Sequence, residues 1–391
     1  MSMVTTIEQA IRPLSLTAHI LGLGVHTPGK LYLSILYNVT LWSTYSYLFC
    51  YVVIVFEVEK WFLIISSIIV NGSDFLVSIV SMITSLYQHK RLQMFIKRLA
   101  AVDDTLEELG IPKIYQKLHV CIKRTLIGWL ICTQLANVND MIWWFRITKN
   151  YQYMIIPYIT NYYHHVNIFM DLVFTIHMWY IGKRFDKLNE HMRYLLLRDK
   201  RGVSYTCWRK AVQATRRDIT CINYYKRVLW TAMHLHLELC QIAQELNAMF
   251  QTQLTMEMAV HLIYVTRLFH YTYINIIKNT SSYVDWIDIS FVVSLHVARL
   301  FCLNYVCEDV SAKSNEMKTI INQLTDPLQY ANIYDEIYQF TLQMIHRPLK
   351  FSGLGLFHFG NGFLRKFVMT ILMFMVIVIQ TPSASKAFMG S

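Results

Sequence analysis

A chain of 391 residues that is 54% apolar, only 16% charged and +0.32 in mean hydropathy cannot present all of its surface to water, because soluble domains carry roughly 25% charged residues. The formal net charge of +11 would admit a nucleic-acid partner, but the basic residues gather between alternate apolar stretches, which is a signal of membrane topology. Nucleic-acid binding and a pair of soluble domains are thereby set aside in favour of one all-α membrane bundle.

Residues 1–30 lack a basic start followed by an unbroken apolar core, so no cleaved signal peptide is expected and the segment reads as cytosolic. A spanning helix needs about 20 mostly apolar residues. The first two candidates are 31–56 and 61–87, joined by a tight turn at 57–60. The third and fourth are 126–145 and 158–181, and the fifth and sixth 246–274 and 286–306. The last apolar run, 367–379, is short for a lipid-facing span and crosses only if it lines a water-filled path inside a bundle.

Seven spans divide the connections into two sets. Stretches 1–30, 88–117, 183–230 and 308–366 hold 27 of the 36 Lys and Arg residues, and 57–60, 146–157, 275–285 and 380–391 hold 5. Basic connections stay on the cytosolic side, which predicts a cytosolic amino terminus and an extracellular carboxyl terminus. Stretches 97–109 and 185–197 carry apolar residues at helical spacing, and 218–247 runs into the fifth span. Long cytoplasmic helical extensions are therefore expected. No linker or repeat divides residues 1–391, which read as one unit: the cytosolic segment 1–30, a six-span bundle with inner loops over 31–306, and a cytoplasmic anchor with the last helix over 307–391.

The eight cysteines show no paired short spacing and read as reduced. Of three glycosylation sequons, those at Asn38 and Asn71 fall inside spans, and the one at Asn279 falls in an outer loop where modification is possible. No phosphate-cradling glycine loop or nucleophile elbow is present, and neither His164-His165 nor His234-Leu235-His236 has the spacing of a metal site. No catalysis, metal or cofactor is expected.

Polar residues inside spans are costly unless they face protein or water. The third span carries Asn137, Asn139 and Asp140, then Trp143 and Trp144, and the fourth opens with Tyr158, Asn161, Tyr162, Tyr163, His164 and His165. The fifth adds Gln251, Gln253, Thr255, Glu257 and His261, and the second Asn71, Ser73 and Asp74. Many of these share an outer depth, where aromatics and a few polar groups would line a small-molecule pocket. Interhelical hydrogen bonding that only holds the bundle together is the alternative. On the last helix, Thr370, Met373, Phe374, Ile377, Gln380 and Thr381 share one face at 100° per residue, a mostly apolar stripe suited to a hydrophobic gate. One copy cannot enclose a pore, so that reading requires a symmetric oligomer.

The carboxyl-terminal stretch FSGLGLFHFGNGFLRKFVMTILMFMVIVIQT, the start RPLSLTAHILGLGVH and the stretch LHLELCQIAQELNAMF resemble the insect gustatory receptors, relatives of the insect odorant receptors. The resemblance covers essentially the whole chain. It departs at the final motif, where Met373-Phe374 stand in place of Thr-Tyr and Gln380-Thr381 in place of Gln-Phe. It implies a ligand-gated, non-selective cation channel, multi-pass in the plasma membrane of sensory neurons. The subunit would form a homotetramer, or a heterotetramer with related receptor subunits, in the lipid bilayer. On that transfer Gln380 and Thr381 mark the narrowest point for permeant cations, with Ile377 or Met373 below. A small-molecule tastant would enter the outer pocket, and the apolar Met375 and many aromatics favour a bitter plant compound over a sugar. The alternative within the resemblance is an odorant receptor subunit. A G-protein-coupled receptor would need its amino terminus outside and an Asn-Pro-x-x-Tyr in its seventh span, and the sequence has neither.

Overall fold

The computed structural model describes residues 4–24, 31–56, 61–200, 216–278, 283–323 and 334–380. These residues are almost wholly helical. Helix α1 is Ile7–Ile20, α2 Leu31–Phe56, α3 Trp61–Glu108 and α4 Tyr115–Thr148. A 3-10 turn, Tyr151–Ile155, and the short α5, Ile156–Thr160, lead into α6, Tyr162–Lys200. Then come α7 (Arg216–Lys278), α8 (Tyr283–Asn322) and α9 (Tyr334–His346). A two-stranded hairpin, β1 (Ser352–Gly353) and β2 (Phe357–His358), precedes α10, Asn361–Gln380. Six of the seven sequence-read spans lie within single helices of 20 residues or more, and the fourth, 158–181, begins on the short α5 and continues on α6. The last helix begins six residues earlier than its apolar run and gains the length that run lacked.

Several helices far exceed a bilayer. At 1.5 Å per residue the 48 residues of α3 reach about 72 Å and the 63 of α7 about 95 Å, against a hydrocarbon core of about 30 Å. The stretches 97–109 and 185–197 thus lie along the inner ends of helices that begin among apolar residues, and 218–247 is the inner start of the helix that carries the fifth apolar run. By length and composition alone, one helical stretch among the described residues, Ile289–Asn322, is apolar enough to cross a membrane.

The periodicity decides which faces are buried. Phe95, Leu99, Val102 and Leu106 repeat at helical spacing on α3 and are all buried, as are Tyr115, Leu118 and Ile122 on α4. They pack with α1, whose Ala10 and Leu14 are buried and whose Thr6 caps the first turn by accepting from the Gln9 amide. Helix α6 lies at the centre, with Phe169, Phe174, Tyr180 and Phe185 fully buried.

Polar ties hold the extensions together. Arg184 of α6 and Asp103 of α3 have no exposed side-chain surface and meet at 2.6 Å. The Tyr180 hydroxyl donates to the Asp103 carboxylate at 2.6 Å, and Arg184 also donates to the Pro112 carbonyl at 3.3 Å. Arg98 bridges α3 to Glu238 of α7 at 2.6 Å and also pairs with Glu245. Lys313 of α8 reaches Asp186 of α6 at 2.9 Å. Two neighbouring carboxylates, on Asp186 and Asp309, hold the Lys313 ammonium above its ordinary range against the opposing cost of burial.

Candidate functional site

Where α2, α3 and α6 meet, six aromatic side chains pack together. Tyr45 and Tyr162 stack at 3.8 Å with an 8° interplanar angle, and Trp42 stands 6.0 Å from Tyr162 and 5.7 Å from Tyr163. Phe49 and Phe75 both meet Tyr163 edge-on, at 5.4 and 4.9 Å. The hydroxyls find partners, as buried tyrosines require: Tyr162 donates to the Leu21 carbonyl at 3.0 Å and Tyr163 to Ser46 at 3.2 Å.

A polar seam runs beside the rings. On α4, Asn137 is buried and its Oδ1 accepts from Asn161 at 3.2 Å and from His165 Nε2 at 2.9 Å. Asn161 also donates to Asp140 at 2.5 Å. Five sequence-read residues, Asn137, Asp140, Tyr162, Tyr163 and His165, thus fall in one region. Trp143 and Trp144 meet each other edge-on at 5.6 Å farther along α4, and Trp143 is exposed.

A second polar group joins α3, α6, α7 and α8. Asp74 lies 3.4 Å from His164, and its backbone carbonyl accepts from Asn167 at 3.1 Å. The rings of His164 and His261 lie 5.4 and 5.2 Å from His296, and Tyr264 lies 4.2 Å from the same ring. Arg299 of α8 pairs with Asp171 of α6 at 2.6 Å and with Glu257 of α7. His261 Nδ1 donates to the Glu257 carbonyl at 3.0 Å, which in the neutral ring leaves Nε2 an acceptor. That Nε2 and His296 Nδ1 are buried without a partner among the described residues. Rings on one side and unused hydrogen-bonding atoms on the other suit a small organic molecule with a polar group.

The remaining sequence-read residues are not among the contacts of these two groups. The side chain of Asn71, on α3, falls outside the described residues, as do Asn279 and Thr381. Thr255 donates to the Gln251 carbonyl at 2.6 Å and packs against the hairpin, where a Cβ at Gly353 would come 2.6 Å from its hydroxyl. Gln253 is fully buried, and both amide atoms lack a partner among the described residues. On α7 the groups that join the histidines are Glu257, His261 and Tyr264, one to three turns beyond Gln253.

Asp171, His296 and Arg299 escaped the sequence reading. The available signal was an acid and an arginine in two otherwise apolar spans, a combination that calls for a partner.

Helix α10 packs with a narrow stripe only. Phe367 and Ile371 are buried, with Phe363, Leu364 and Met375 half-buried. Met369 and Met373 are each 66% exposed, and Phe374, Ile377, Val368, Leu372 and Val376 are exposed as well. Its first turn is pinned by α8: the Gly360 amide donates to Asn304 Oδ1 at 2.9 Å and the Asn361 amide to Glu308 Oε2 at 3.3 Å. Gly360 holds φ +133°, and a Cβ there would run into Glu308. Phe357 stacks on Phe363 at 4.4 Å, joining the hairpin to the helix.

A family model described as 7tm chemosensory receptor matches residues 23–383. Among curated proteins, the chain is 17% identical over 335 residues to putative gustatory receptor 28b of Drosophila melanogaster, covering 80% of this chain and 69% of that protein. Among solved structures, the olfactory receptor OR5 of Machilis hrabei superposes with a TM-score of 0.70 at 12% identity, covering 96% of this chain and 98% of that one. The same receptor in complex with eugenol superposes at 0.62 with the same coverage. At these identities the structural likeness is one of fold.

Proposed function

We propose that this chain, which belongs to the 7tm chemosensory receptor family, is a subunit of a ligand-gated cation channel with seven spans, a cytosolic amino terminus and an extracellular carboxyl terminus. The basic residues of the inner connections and the seven long helices support that threading. The observation that carries the channel reading is α10, which leaves most of its apolar surface uncovered within one subunit. Several copies, four in the reading taken from the resemblance, would cover the sides of that helix and enclose its Met373–Ile377–Gln380 face. Among the described residues the gate candidates are then Met373, Phe374, Ile377 and Gln380.

The ligand is a small organic molecule received by the aromatic cluster and the adjoining polar groups. The likeness over 96% of the chain to an olfactory receptor, solved with eugenol in one case, favours an odorant-type aromatic compound. A tastant is the second reading, supported by the sequence likeness to a putative gustatory receptor and by the final-helix region. The plasma membrane of sensory neurons is the location that either reading entails.

Ligand-evoked currents from cells expressing the chain test the proposal. Substitution of Ile377 and Gln380 should alter conductance, selectivity or gating. Unchanged behaviour in both, at normal surface expression, would remove α10 from the pore. A panel of volatile aromatics and bitter compounds, applied to the chain expressed alone, separates the two ligand readings.

A further inference from the structure

A cavity of about 580 Å³ lies between α1, α3, α6 and α7. Its size falls within the range of pockets that enclose drug-sized ligands. None of its lining residues belongs to the aromatic cluster or to the histidine–carboxylate group. Helix α1 forms one wall and runs against α3: Ser85 donates to the Leu23 carbonyl at one end, and Ile11 and Ile96 border a common small void at the other. Met170, Val173, Met249 and Phe250 make an apolar floor.

Two of the lining residues also carry an acceptor that the protein leaves unused. Gln88 Oε1 and His177 Nε2 are both buried without a partner among the described residues. His177 Nδ1 donates to the Val173 carbonyl at 2.7 Å, so its Nε2 presents a lone pair. Buried acceptors without donors are destabilising, and a molecule that satisfies them must bring a hydrogen. Charge is confined to the far end, where Arg12 and Lys97 are exposed and Glu8 stands with them. His89, at the same wall, is held below its ordinary range by burial and adds no charge at neutral pH.

We propose that this cavity is a second ligand site, for a largely apolar molecule that carries one hydroxyl donor, such as a long-chain or alicyclic alcohol, entering from the inner face of the bilayer. The direction of entry rests on the threading proposed above. Binding does not, so a failure of the threading would show in tag accessibility and leave the binding result standing.

Photolabelling of the purified full-length chain in detergent decides the matter, with diazirine-bearing dodecanol, its methyl ether and the matching carboxylic acid as probes. The alcohol is expected to label peptides carrying residues 7–24 and 84–97 at least five-fold more than the ether. Ser15→Trp, at an exposed position on the wall, should cut that labelling at least five-fold with an unchanged elution profile. Equal labelling by the ether, stronger labelling by the acid, or undiminished labelling of a folded Ser15→Trp chain would each overturn the proposal. Should Ser15→Trp misfold, Gln88→Leu serves: it should narrow the preference for alcohol over ether, and an unaltered preference would overturn the assignment.

Discussion

Replacement of Arg184 by Met isolates the energetics of the inner bundle. Arg184 and Asp103 are wholly inaccessible to solvent and 2.6 Å apart, and Arg184 also donates to Tyr180 and Pro112. Burial opposes ionisation of Asp103, while the Arg184 guanidinium and the Tyr180 hydroxyl favour it, and the cost of burial prevails. Removing the guanidinium alone leaves a carboxylate in a dry site, a change that costs about 3–5 kcal/mol. At about 2 °C per kcal/mol, the figure for domains smaller than this chain, the midpoint of thermal unfolding falls by roughly 6–10 °C. The Arg184→Met/Asp103→Leu pair removes both charges. It should lose only about 1–2 kcal/mol, mostly through the Tyr180 hydroxyl and the Pro112 carbonyl left without partners. Fluorescence-detected size exclusion after a temperature ramp, run on wild type, both single variants and the double variant, completes the cycle. If the double variant loses as much as the Arg184→Met single variant, the charge pair is not what the inner bundle depends on.

Two further changes test other parts of the molecule. Gly360→Ala forces a side chain into φ +133° and against Glu308, at a cost of about 1–3 kcal/mol for the backbone alone. Unfolding and ligand-evoked current should both suffer, Glu308→Ala should recover only the part due to the collision, and a Gly360→Ala chain that matches wild type would refute the pinning of α10. Buried His236 sits between Phe185 and Phe340, and desolvation depresses it to about 4. A histidine depressed in the native state contributes stability that is complete above its unfolded value near 6.5 and is lost as pH falls toward 4. At pH 5 the loss is about 2 kcal/mol. His236→Leu should therefore lose less thermal stability than wild type between pH 7.5 and 5, and parallel losses would contradict the assignment.

The all-helical character of the fold was legible because span-length apolar runs act over tens of residues, and no tertiary detail is needed to read them. The long inner helices were legible for a similar reason: Phe95, Leu99, Val102 and Leu106 repeat at 3.6-residue spacing and bury one face. The last helix extends beyond its apolar run because its first six residues mix Asn361, Gly362, Arg365 and Lys366 with Phe363 and Leu364, and its start depends on Asn304 and Glu308, distant in sequence. The site was legible as a set of residue types and only in part as a place. Asn137, Asp140, Tyr162, Tyr163 and His165 meet because α4 and α6 are consecutive long helices, joined through the 3-10 turn and α5, which bring the end of one beside the start of the other. On α7 no such neighbour fixes the depth. A 63-residue helix can present Gln251 or His261 to the same region with a slide of about 15 Å, at 1.5 Å per residue. Only packing chooses between them.

That packing also supplies a route from the candidate ligand region to α10, and it runs along one helix. On α8, Arg299 holds carboxylates of α6 and α7 on one side, while Asn304 and Glu308, about 8 and 14 Å farther along the axis, hold the Gly360 and Asn361 amides at the start of the last helix. At 100° per residue Glu308 lies opposite Arg299, so one face of α8 reads the buried polar group and the other grips α10. A ligand that draws on the Arg299 partners would move or turn the same rigid element that positions the helix proposed to carry the gate. Such coupling is measured by a double-mutant cycle. Arg299→Gln and Asn304→Ala, alone and together, should shift the half-effective ligand concentration non-additively, by an interaction of about 0.5–2 kcal/mol. Strict additivity, with all three variants at the surface and responding, would mean that α8 does not connect the two, and the path from ligand to pore would have to be sought through α7 and the hairpin.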